Sequence, residues 1–282
     1  MRKKVISAIA LAILSLSLVA CENDTSKDND IADDVNVETE EDDRNEEDTS
    51  EKTETVVKEP YNPKYELAEG LEYSVRDDGT CSITGIGTCE LTEFSIPEEI
   101  DGYRVTGISG YAFIDCSNLT CIEIPKGVTY IGDLAFSGCS SLININIPNS
   151  VTRIGNCAFG ICSSLTDIDI PDSVTNIETA AFSQCSSLTN VTMQSGVTSI
   201  SKNMFMYCSS LTNINIPNSV TSIGDEAFFE CSSLTDINIP SSVTSIGENV
   251  FFNCNSLTSI KVSSDSYAET WAQDNGFDDK IE

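Results

Sequence analysis

The sequence has 282 residues and contains no histidine, and this absence removes several kinds of site at once. Nucleophilic sites of the Ser-His-Asp and Cys-His types use an imidazole as general base, and imidazole is also the commonest zinc ligand. The cysteines include no C-x-x-C pair, and the chain has no glycine-rich phosphate loop. We therefore expect no cofactor and no metal site, and these classes of enzyme are excluded.

Positive charge is scarce as well. The chain has 15 Lys and Arg residues against 45 Asp and Glu residues, so its formal net charge is −30. A chain this acidic repels the phosphate backbone, which makes nucleic acid a poor partner. Any charged partner that binds directly should be basic, or should be bridged by divalent cations.

The N-terminal residues predict export. Arg2, Lys3 and Lys4 precede the apolar run VISAIALAILSLSLVA, which is short for a membrane span and typical of a secretory signal. Leu18-Val19-Ala20-Cys21 resembles the cleavage box of bacterial lipoproteins, and that resemblance implies a lipid on Cys21 that would anchor the protein in a membrane. An ordinary signal peptide with an incidental Cys21 is the alternative.

Residues 22–59 predict a disordered tether. They contain 17 acidic and four basic side chains and no aromatic residue. Such a segment cannot bury enough apolar surface to fold, and its like charges push it open. A flexible chain of this length spans roughly 35 Å, enough to lift a domain away from a membrane. Binding of cations by this acidic run is the alternative role.

A strict repeat of 23 residues dominates the rest of the chain. Three apolar columns recur at this step without an insertion, which is the signature of a repeat architecture. The columns are Cys116, Cys139, Cys162, Cys185, Cys208, Cys231 and Cys254; Phe113, Phe136, Phe159, Phe182, Phe205, Phe228 and Phe251; and Leu119, Leu142, Leu165, Leu188, Leu211, Leu234 and Leu257.

One unit, LTNINIPNSVTSIGDEAFFECSS, shows how a coil is built. Leu211, Ile214 and Ile216 alternate with polar residues as in a short strand. Pro217 lacks an N–H and ends that strand, and the β-branched run VTSI follows. Gly224 permits a sharp corner, and DEAFFEC predicts about two helical turns. One coil is too small to bury its own apolar face, so in-register stacking at about 4.8 Å predicts a solenoid with a parallel sheet.

The pattern A-F-x-x-C-x-x-L-x-x-I-x-I-P-x-x-V-x-x-I-G closely resembles the BspA-like class of bacterial leucine-rich repeats. One example runs from Ala135 to Gly155, and the resemblance covers the chain from Leu71 to the C-terminus. It implies a right-handed, β-rich α/β leucine-rich-repeat solenoid. The departures predict altered turns around residues 178 to 204: Gln194 and Ser263 replace the proline, Glu178 and Ser201 the glycine, and Met204 and Val250 the alanine.

Both ends of the repeat array predict caps, which a solenoid needs to cover its terminal core. Two alternating runs flank Asp77-Asp78-Gly79 and predict a β-hairpin. The first coil is five residues longer than the others. After the last repeat, DSYAETWAQDNG predicts a short helix that begins with Asp265 as its cap and ends at Gly276. Trp271 on that helix is expected to pack on the core, and a ligand role is the alternative.

These features divide the chain into five parts. They are a lipoprotein signal peptide at 1–20, a lipidated Cys21 with a disordered acidic tether at 21–64, an N-terminal hairpin cap and first strand at 65–97, leucine-rich repeats at 98–262, and a C-terminal capping helix at 263–282.

Side chains between the buried isoleucines of each strand should point outward and form a polar, mildly acidic strip. This predicted binding face consists of Glu123, Asn144, Asn146, Asp167, Asp169, Asn190, Thr192, Asn213, Asn215, Asp236, Asn238 and Lys261, with Cys121 and Ser259 at the two ends of its second row. The face lacks the aromatic and Arg residues that usually dominate binding energy. A merely solvated face is therefore the alternative for each of these residues.

The repeat cysteines could be disulfide partners, metal ligands, nucleophiles or core residues. Equivalent side chains in stacked coils point the same way, which suits neither bridge geometry nor a tetrahedral site. Burial as small apolar side chains is the remaining interpretation. Cys81 and Cys89, which flank SITGIGT, are a possible disulfide, and Cys121 and Cys157 stay open.

A two-carboxylate hydrolase is conceivable, but the acidic residues fall at exposed repeat positions and no insertion builds a pocket. The family resemblance implies surface exposure and adhesion, with binding to matrix proteins or other cells. We therefore predict a monomeric, non-enzymatic binding module, tethered to the cell surface through Cys21, that recognises a protein or glycan of the host, the matrix or a neighbouring cell. A structural scaffold protein of the cell envelope is the alternative.

Overall fold

Each coil contributes one strand to each of two sheets, so the repeats form a β-solenoid of about eight turns. The computed structural model describes residues 64–282. The predicted signal peptide, Cys21 and the acidic segment lie outside the described residues. The predicted fold class is confirmed, with parallel sheets along the coils, a hairpin at the N-terminal end and a helix at the C-terminal end.

The L-x-x-I-x-I segments form the first side of the solenoid, which we call the strand face. Its strands are β3 (Glu93–Ser95), β6 (Cys121–Glu123), β8 (Asn144–Asn146), β10 (Asp167–Ile170), β12 (Asn190–Met193), β14 (Asn213–Asn215), β16 (Asp236–Asn238) and β18 (Ser259–Lys261). Except between β12 and β14, neighbouring strands pair in parallel and in register, so that Ile122 pairs with Ile145 and Ile237 with Ile260. Each isoleucine therefore covers its counterpart in the next coil.

The V-x-x-I segments form the second side. It starts from the cap strands β1 (Glu72–Val75) and β2 (Thr80–Gly85) and continues with β5 (Tyr103–Ile108), β7 (Tyr130–Ile131), β9 (Arg153–Ile154), β11 (Asn176–Ile177), β13 (Ser199–Ile200), β15 (Ser222–Ile223) and β17 (Ser245–Ile246). The hairpin of β1 and β2 is antiparallel as predicted. The extra residues of the first coil form β4 (Glu99–Ile100), which pairs antiparallel with β5 across Asp101 and Gly102.

The A-F-x-x-C segments form the third side, the turn face, and here the helical prediction is wrong. Residues 225–230 are turns, and Glu226 and Glu230 have positive φ angles of 55° and 59°. Alternate N–H groups, those of Glu226, Phe228 and Glu230, donate to carbonyls of the next coil at 2.9–3.1 Å. A helix would turn these donors back on its own segment, so bonding between coils excludes it.

The core consists of the three predicted apolar columns. From Phe113 to Phe251 consecutive rings are stacked, with centroids 5.1–5.8 Å apart and planes within 15° of parallel. The leucine and isoleucine columns are equally buried beside them. Stacking of aromatic rings adds to the stabilisation that burial of their apolar area supplies.

Two kinds of corner join the sides of a coil. Within P-x-x-V the proline carbonyl accepts the N–H of the valine, as from Val151 to Pro148 at 3.0 Å. Within C-x-x-L the cysteine carbonyl accepts the N–H of the leucine, as from Leu165 to Cys162 at 3.0 Å. The C-x-x-L residues therefore build the corner that precedes each repeat strand of the strand face.

The parallel ladders are interrupted at one place, which we call the ladder gap. In the described part of the chain, β11 does not pair with β13 and β12 does not pair with β14. Thr198 and Thr212 accordingly lack the N–H bond to the preceding coil that their counterparts make. The turn face stays joined across the gap, where Ala180 donates to Lys202 at 2.9 Å.

Departures from the repeat occur next to the ladder gap. A Cβ added to Gly155 or Gly224 would lie 2.6 or 2.5 Å from a backbone nitrogen of the preceding coil, so glycine permits close contact between coils. Ser201 carries a Cβ at this position on the C-terminal side of the gap, whereas Glu178 carries one at the junction where β11 still pairs with β9. The gap lies within the region where altered turns were expected.

The C-terminal helix α1 (Tyr267–Asp274) covers the last coil, and a 3₁₀ turn (Asp278–Lys280) follows it. Its N-cap is Ser266 rather than Asp265, since the Ser266 side chain accepts from Glu269 N. Trp271 lies edge-on to Phe251 at 6.0 Å and stacks on Phe277 at 5.8 Å, which supports the packing interpretation of this residue.

Candidate functional site

The predicted binding face lies along the strand face, where we call it the strand strip. Its residues are held outward because the alternating isoleucines on either side are buried, as Ile145 and Ile147 are around Asn146. All twelve are exposed except Glu123, which is half-buried and accepts hydrogen bonds from Ser95 Oγ and from Lys64 N at 2.7 Å. The structure thus brings the twelve side chains into two adjoining rows.

The ends of the second row differ from the expectation. Ser259 is buried rather than exposed, and Cys121 is half-buried. The C-terminal tail provides the reason: Ile281 bridges to Ile260, and Glu282 N donates to Ile260 O at 3.0 Å. The tail therefore covers part of β18.

A shallow depression of about 290 Å³ lies on the strand strip. Its floor is Ile145 and Ile168, and its polar rim is Asn144, Asn146, Asp167, Asp169, Asn190 and Thr192. This volume is near the lower end of the range for small-molecule sites. It suits a single side chain or sugar ring of a larger ligand.

Two hydrogen bonds fix the carboxylate of Asp167 in the depression. Its carboxylate accepts from Thr166 Oγ1 at 2.6 Å and from Asn190 Nδ2 at 2.5 Å. These two hydrogen bonds, of which that from Thr166 has the larger effect, hold the pKa of Asp167 below its usual value. The carboxylate is therefore ionised at neutral pH and presents a fixed negative charge.

The ladder gap divides the strand strip into two segments. The first segment, which contains the depression, ends at β12, and the second begins at Asn213 on β14. Charge changes along the second segment, from Asp236 to Lys261, which pairs in register with Asn238. A ligand that covers both segments therefore meets amide and acidic groups along most of the strip and a basic group, Lys261, at its C-terminal end.

Cysteine chemistry contributes no site on this face. The Sγ atoms of Cys139, Cys162 and later column members each donate to a phenylalanine carbonyl of the preceding coil at 3.1–3.2 Å. Burial raises the pKa of the Cys185 thiol to about 12, which removes its nucleophilicity at neutral pH. This arrangement supports the interpretation of these cysteines as core residues.

The suggested disulfide between Cys81 and Cys89 is not formed in the structure, where both are free thiols. Cys81 is buried on β2, and its Sγ donates to Tyr103 O at 3.5 Å. Cys89 lies in a turn closed by its own N–H to Ile86 O. Of the two open cases, Cys157 is buried and Cys121 is half-buried. Within residues 64–282 no group of three metal-ligating side chains occurs.

A second surface was missed in the sequence. On the turn face, Met206, Phe229 and Phe252 occupy the position that follows the buried phenylalanine in the last three coils. Phe229 and Phe252 stack with centroids 5.1 Å apart, and Tyr207 meets Phe229 edge-on at 5.6 Å. The sequence signal that could have revealed this surface is the change from AFSG and AFSQ in earlier coils to MFMY, AFFE and VFFN in the last three.

The comparisons with known proteins agree with this architecture. The family model of the BspA type leucine-rich repeat region matches residues 87–212 and 198–273. A search of curated proteins returns no match. None of the helices in residues 64–282 is long and apolar enough to cross a bilayer.

Two solved structures are similar. A leucine-rich cell surface protein of Faecalibacterium prausnitzii is 38% identical, with a TM-score of 0.65, over 73% of this chain and 56% of its own. A leucine-rich repeat protein of T. pallidum is 27% identical, with a TM-score of 0.63, over 76% of this chain and 95% of its own. The chain thus spans little more than half of the Faecalibacterium protein. Leucine-rich-repeat folds are typically binding or scaffold proteins rather than enzymes. On its repeat pattern, its stacked coils and the match of the family model, the chain belongs to the family of BspA-type leucine-rich repeat proteins.

Proposed function

We propose that this protein is a cell-surface recognition module that binds a protein or glycan ligand through the strand strip. The observation that carries the proposal is the strip itself, in which twelve predicted side chains lie in two rows beside a depression of about 290 Å³. Solenoids of stacked repeats bind through extended surfaces of this kind. The similar Faecalibacterium protein is described as a cell surface protein, which supports the proposed location.

Anchoring through a lipid on Cys21 is part of the proposal. The N-terminal residues supply the basic start, the apolar run and the cleavage box on which it rests. Globomycin, which blocks lipoprotein signal cleavage, should lead to accumulation of the uncleaved chain, and Cys21→Ser should release the protein from the membrane fraction. Retention of the Cys21→Ser protein in that fraction would contradict the lipid anchor.

Binding should be tested with the purified chain on arrays of matrix proteins, glycans and whole cells. For any ligand found, Asn146→Ala/Asn190→Ala and Asp167→Asn/Asp169→Asn should weaken binding by about tenfold or more, because the depression then loses its hydrogen-bonding groups or its charges. The control Glu90→Gln/Glu98→Gln removes two exposed acids, one in the N-terminal cap and one at the start of the first coil, and should leave affinity unchanged.

The alternative function predicts a different set of results. A structural scaffold of the envelope should show no ligand on any array, while deletion of its gene should alter growth or the envelope. That combination would refute the recognition proposal. Equal weakening by the strip variants and the cap control would also refute it, because it would indicate unspecific attraction to negative charge.

A further inference from the structure

The last three coils carry an apolar row on the turn face, formed by Met206, Phe229 and Phe252. Half of Phe252 is exposed, and Phe229 and Met206 are half-buried. Together with Tyr207 these residues form what we call the aromatic patch. Phe229 stacks on Phe252, and half of the Phe252 side chain stays exposed despite this contact.

The coil does not need an aromatic residue at this position. The equivalent residues in three earlier coils are Ser137, Gly160 and Ser183, all buried. These coils make the same turns and the same stacked core as the last three. Exposed aromatic area is therefore not explained by folding, and contiguous exposed apolar surface commonly marks a binding site.

Acidic side chains flank the patch. Glu226 accepts from Asn203 Nδ2 at 3.0 Å, and Glu230 accepts from Asn253 Nδ2 at 2.7 Å. Each of these bonds occupies one oxygen of the carboxylate. In the described part of the chain both ion pairs belong to Arg153, so the two glutamates have no cationic partner. The patch thus combines partly exposed aromatic rings with negative charge that nothing in residues 64–282 neutralises.

We propose that the aromatic patch binds a segment of a partner protein in which arginine is next to apolar side chains. A guanidinium can stack on the half-exposed Phe252 ring and donate a hydrogen bond to the remaining carboxylate oxygen of Glu230. Arginine fits better than lysine because its planar group can satisfy both contacts. Apolar neighbours of the arginine would cover Phe229 and Tyr207.

The negative charge beside the aromatic patch favours an arginine-containing partner over the other candidate occupants. The segment 22–59 of the same chain has 17 acidic residues, and a second copy has a net charge of −30, so both are repelled by the acidic flanks. A neutral glycan could stack on the rings, but it would leave the charge of the two glutamates without a partner. The patch is on a different side from the strand strip, so this proposal stands or falls independently of the proposed function.

The test uses the full chain and a labelled peptide, acetyl-Gly-Arg-Leu-Arg-Gly-Leu-Arg-Gly-amide, in fluorescence anisotropy at physiological salt. Phe229→Ser/Phe252→Ser should weaken binding about tenfold or more at unchanged net charge, and Glu226→Gln/Glu230→Gln should weaken it to a similar extent. The charge-matched control Glu90→Gln/Glu98→Gln, at two exposed acids far along the chain from the patch, should not change it. A peptide with citrulline in place of arginine should bind at least about tenfold more weakly, since it keeps the shape but loses the charge.

Several outcomes would overturn the proposal. They are the absence of peptide binding, an unchanged affinity of the Phe→Ser variant, and equal weakening by the two charge-matched pairs, which would indicate unspecific attraction. Self-association in sedimentation equilibrium that is lost in the Phe→Ser variant would assign the patch to a second copy instead. Urea unfolding should show that the double variant is folded; if it is not, Phe252→Ser alone, at a half-exposed ring, decides the question.

Discussion

Each cysteine of the column from Cys139 to Cys254 donates its thiol hydrogen to the carbonyl of a phenylalanine in the preceding coil. The donor and the carbonyl are both buried, so the bond satisfies a polar group that would otherwise be costly to bury. Serine could make a similar bond but is more polar, and alanine would leave the carbonyl without a partner. Cysteine therefore suits this position because it is small and carries a weak hydrogen-bond donor.

The buried thiols make stability depend on alkaline pH. Burial raises the pKa of Cys185 from 9.0 to about 12 and raises those of the other column members in the same direction. A raised folded-state pKa means that the unfolded chain loses protons first, so the stability is full below pH 9 and declines as pH rises toward 12. Each such thiol should remove about 1.4 kcal/mol of unfolding free energy per pH unit in that window.

Urea unfolding at several pH values between 7.5 and 10.5 measures this effect. Cys185→Ala should be less stable at neutral pH, because it leaves a small cavity and an unpaired carbonyl, but it should lose stability less steeply as pH rises. Alkylation of the folded protein at pH 8 should label Cys89 and Cys121 before Cys162 and Cys185. Rapid labelling of the buried column would contradict its assignment to the core.

At the scale of the element, hydrogen bonds from threonines join neighbouring coils. In the V-T and L-T pairs the N–H and Oγ1 of one threonine both donate to the carbonyl of the equivalent threonine one coil back, as from Thr152 to Thr129 at 2.8 and 3.2 Å. This pair of hydrogen bonds from one threonine recurs along both sides of the solenoid. It fails only at the ladder gap among the described coils from Thr152 to Thr258, where Thr198 and Thr212 make neither contact.

Amide hydrogen exchange should detect the ladder gap. The N–H groups of Thr198 and Thr212 should exchange about tenfold or more faster than those of Thr175 and Thr221, which are bonded to the preceding coil at 3.0 and 2.9 Å. These threonines are all exposed, so exposure alone does not separate them. Equal protection in all four would mean that the two ladders are continuous in solution.

The elements that repeat could be predicted, and those that depend on a partner element could not. The columns headed by Phe113 and Cys116 follow from a period, which is a local property of the sequence. The left-handed turns at Glu226 and Glu230 depend on carbonyls 22 residues away, and the burial of Ser259 depends on the tail at Ile281. For the site, the outward rows follow from strand alternation, whereas the depression depends on the relative placement of three strands.

At the scale of the whole molecule, stability should resemble a sum over neighbouring coils plus two caps. The C-terminal cap covers the end of the phenylalanine column, where Trp271 and Phe277 both meet Phe251 at 6.0 Å. Without this cover the last ring would face water. The negative charge of both the repeat domain and the preceding segment also opposes association of one molecule with another.

Trp271→Ala tests the cap. It should cost about 2–3 kcal/mol of unfolding free energy, somewhat less than for a fully buried aromatic residue, because Trp271 is half-buried. The loss of protection should be concentrated at the last coil, at Thr258 N rather than at Thr120 N, in hydrogen exchange with detection by NMR. Tyr267→Ala, on the same helix at an exposed position, should cost less than about 0.5 kcal/mol. Equal costs in unfolding free energy for the two variants would contradict the description of stability as a sum over neighbouring coils. A loss of exchange protection spread evenly over all coils would also contradict it.

The uniform period has a consequence for how such a protein can change over generations. Each coil contacts its two neighbours through the same columns, so an in-frame duplication or deletion of 23 codons would leave most remaining interfaces intact. The length of the recognition surface can therefore evolve by unequal recombination, in single-coil steps and without a new fold. Substitutions confined to a few coils, such as the aromatic residues at 229 and 252, could then diversify one end while the other keeps its older specificity.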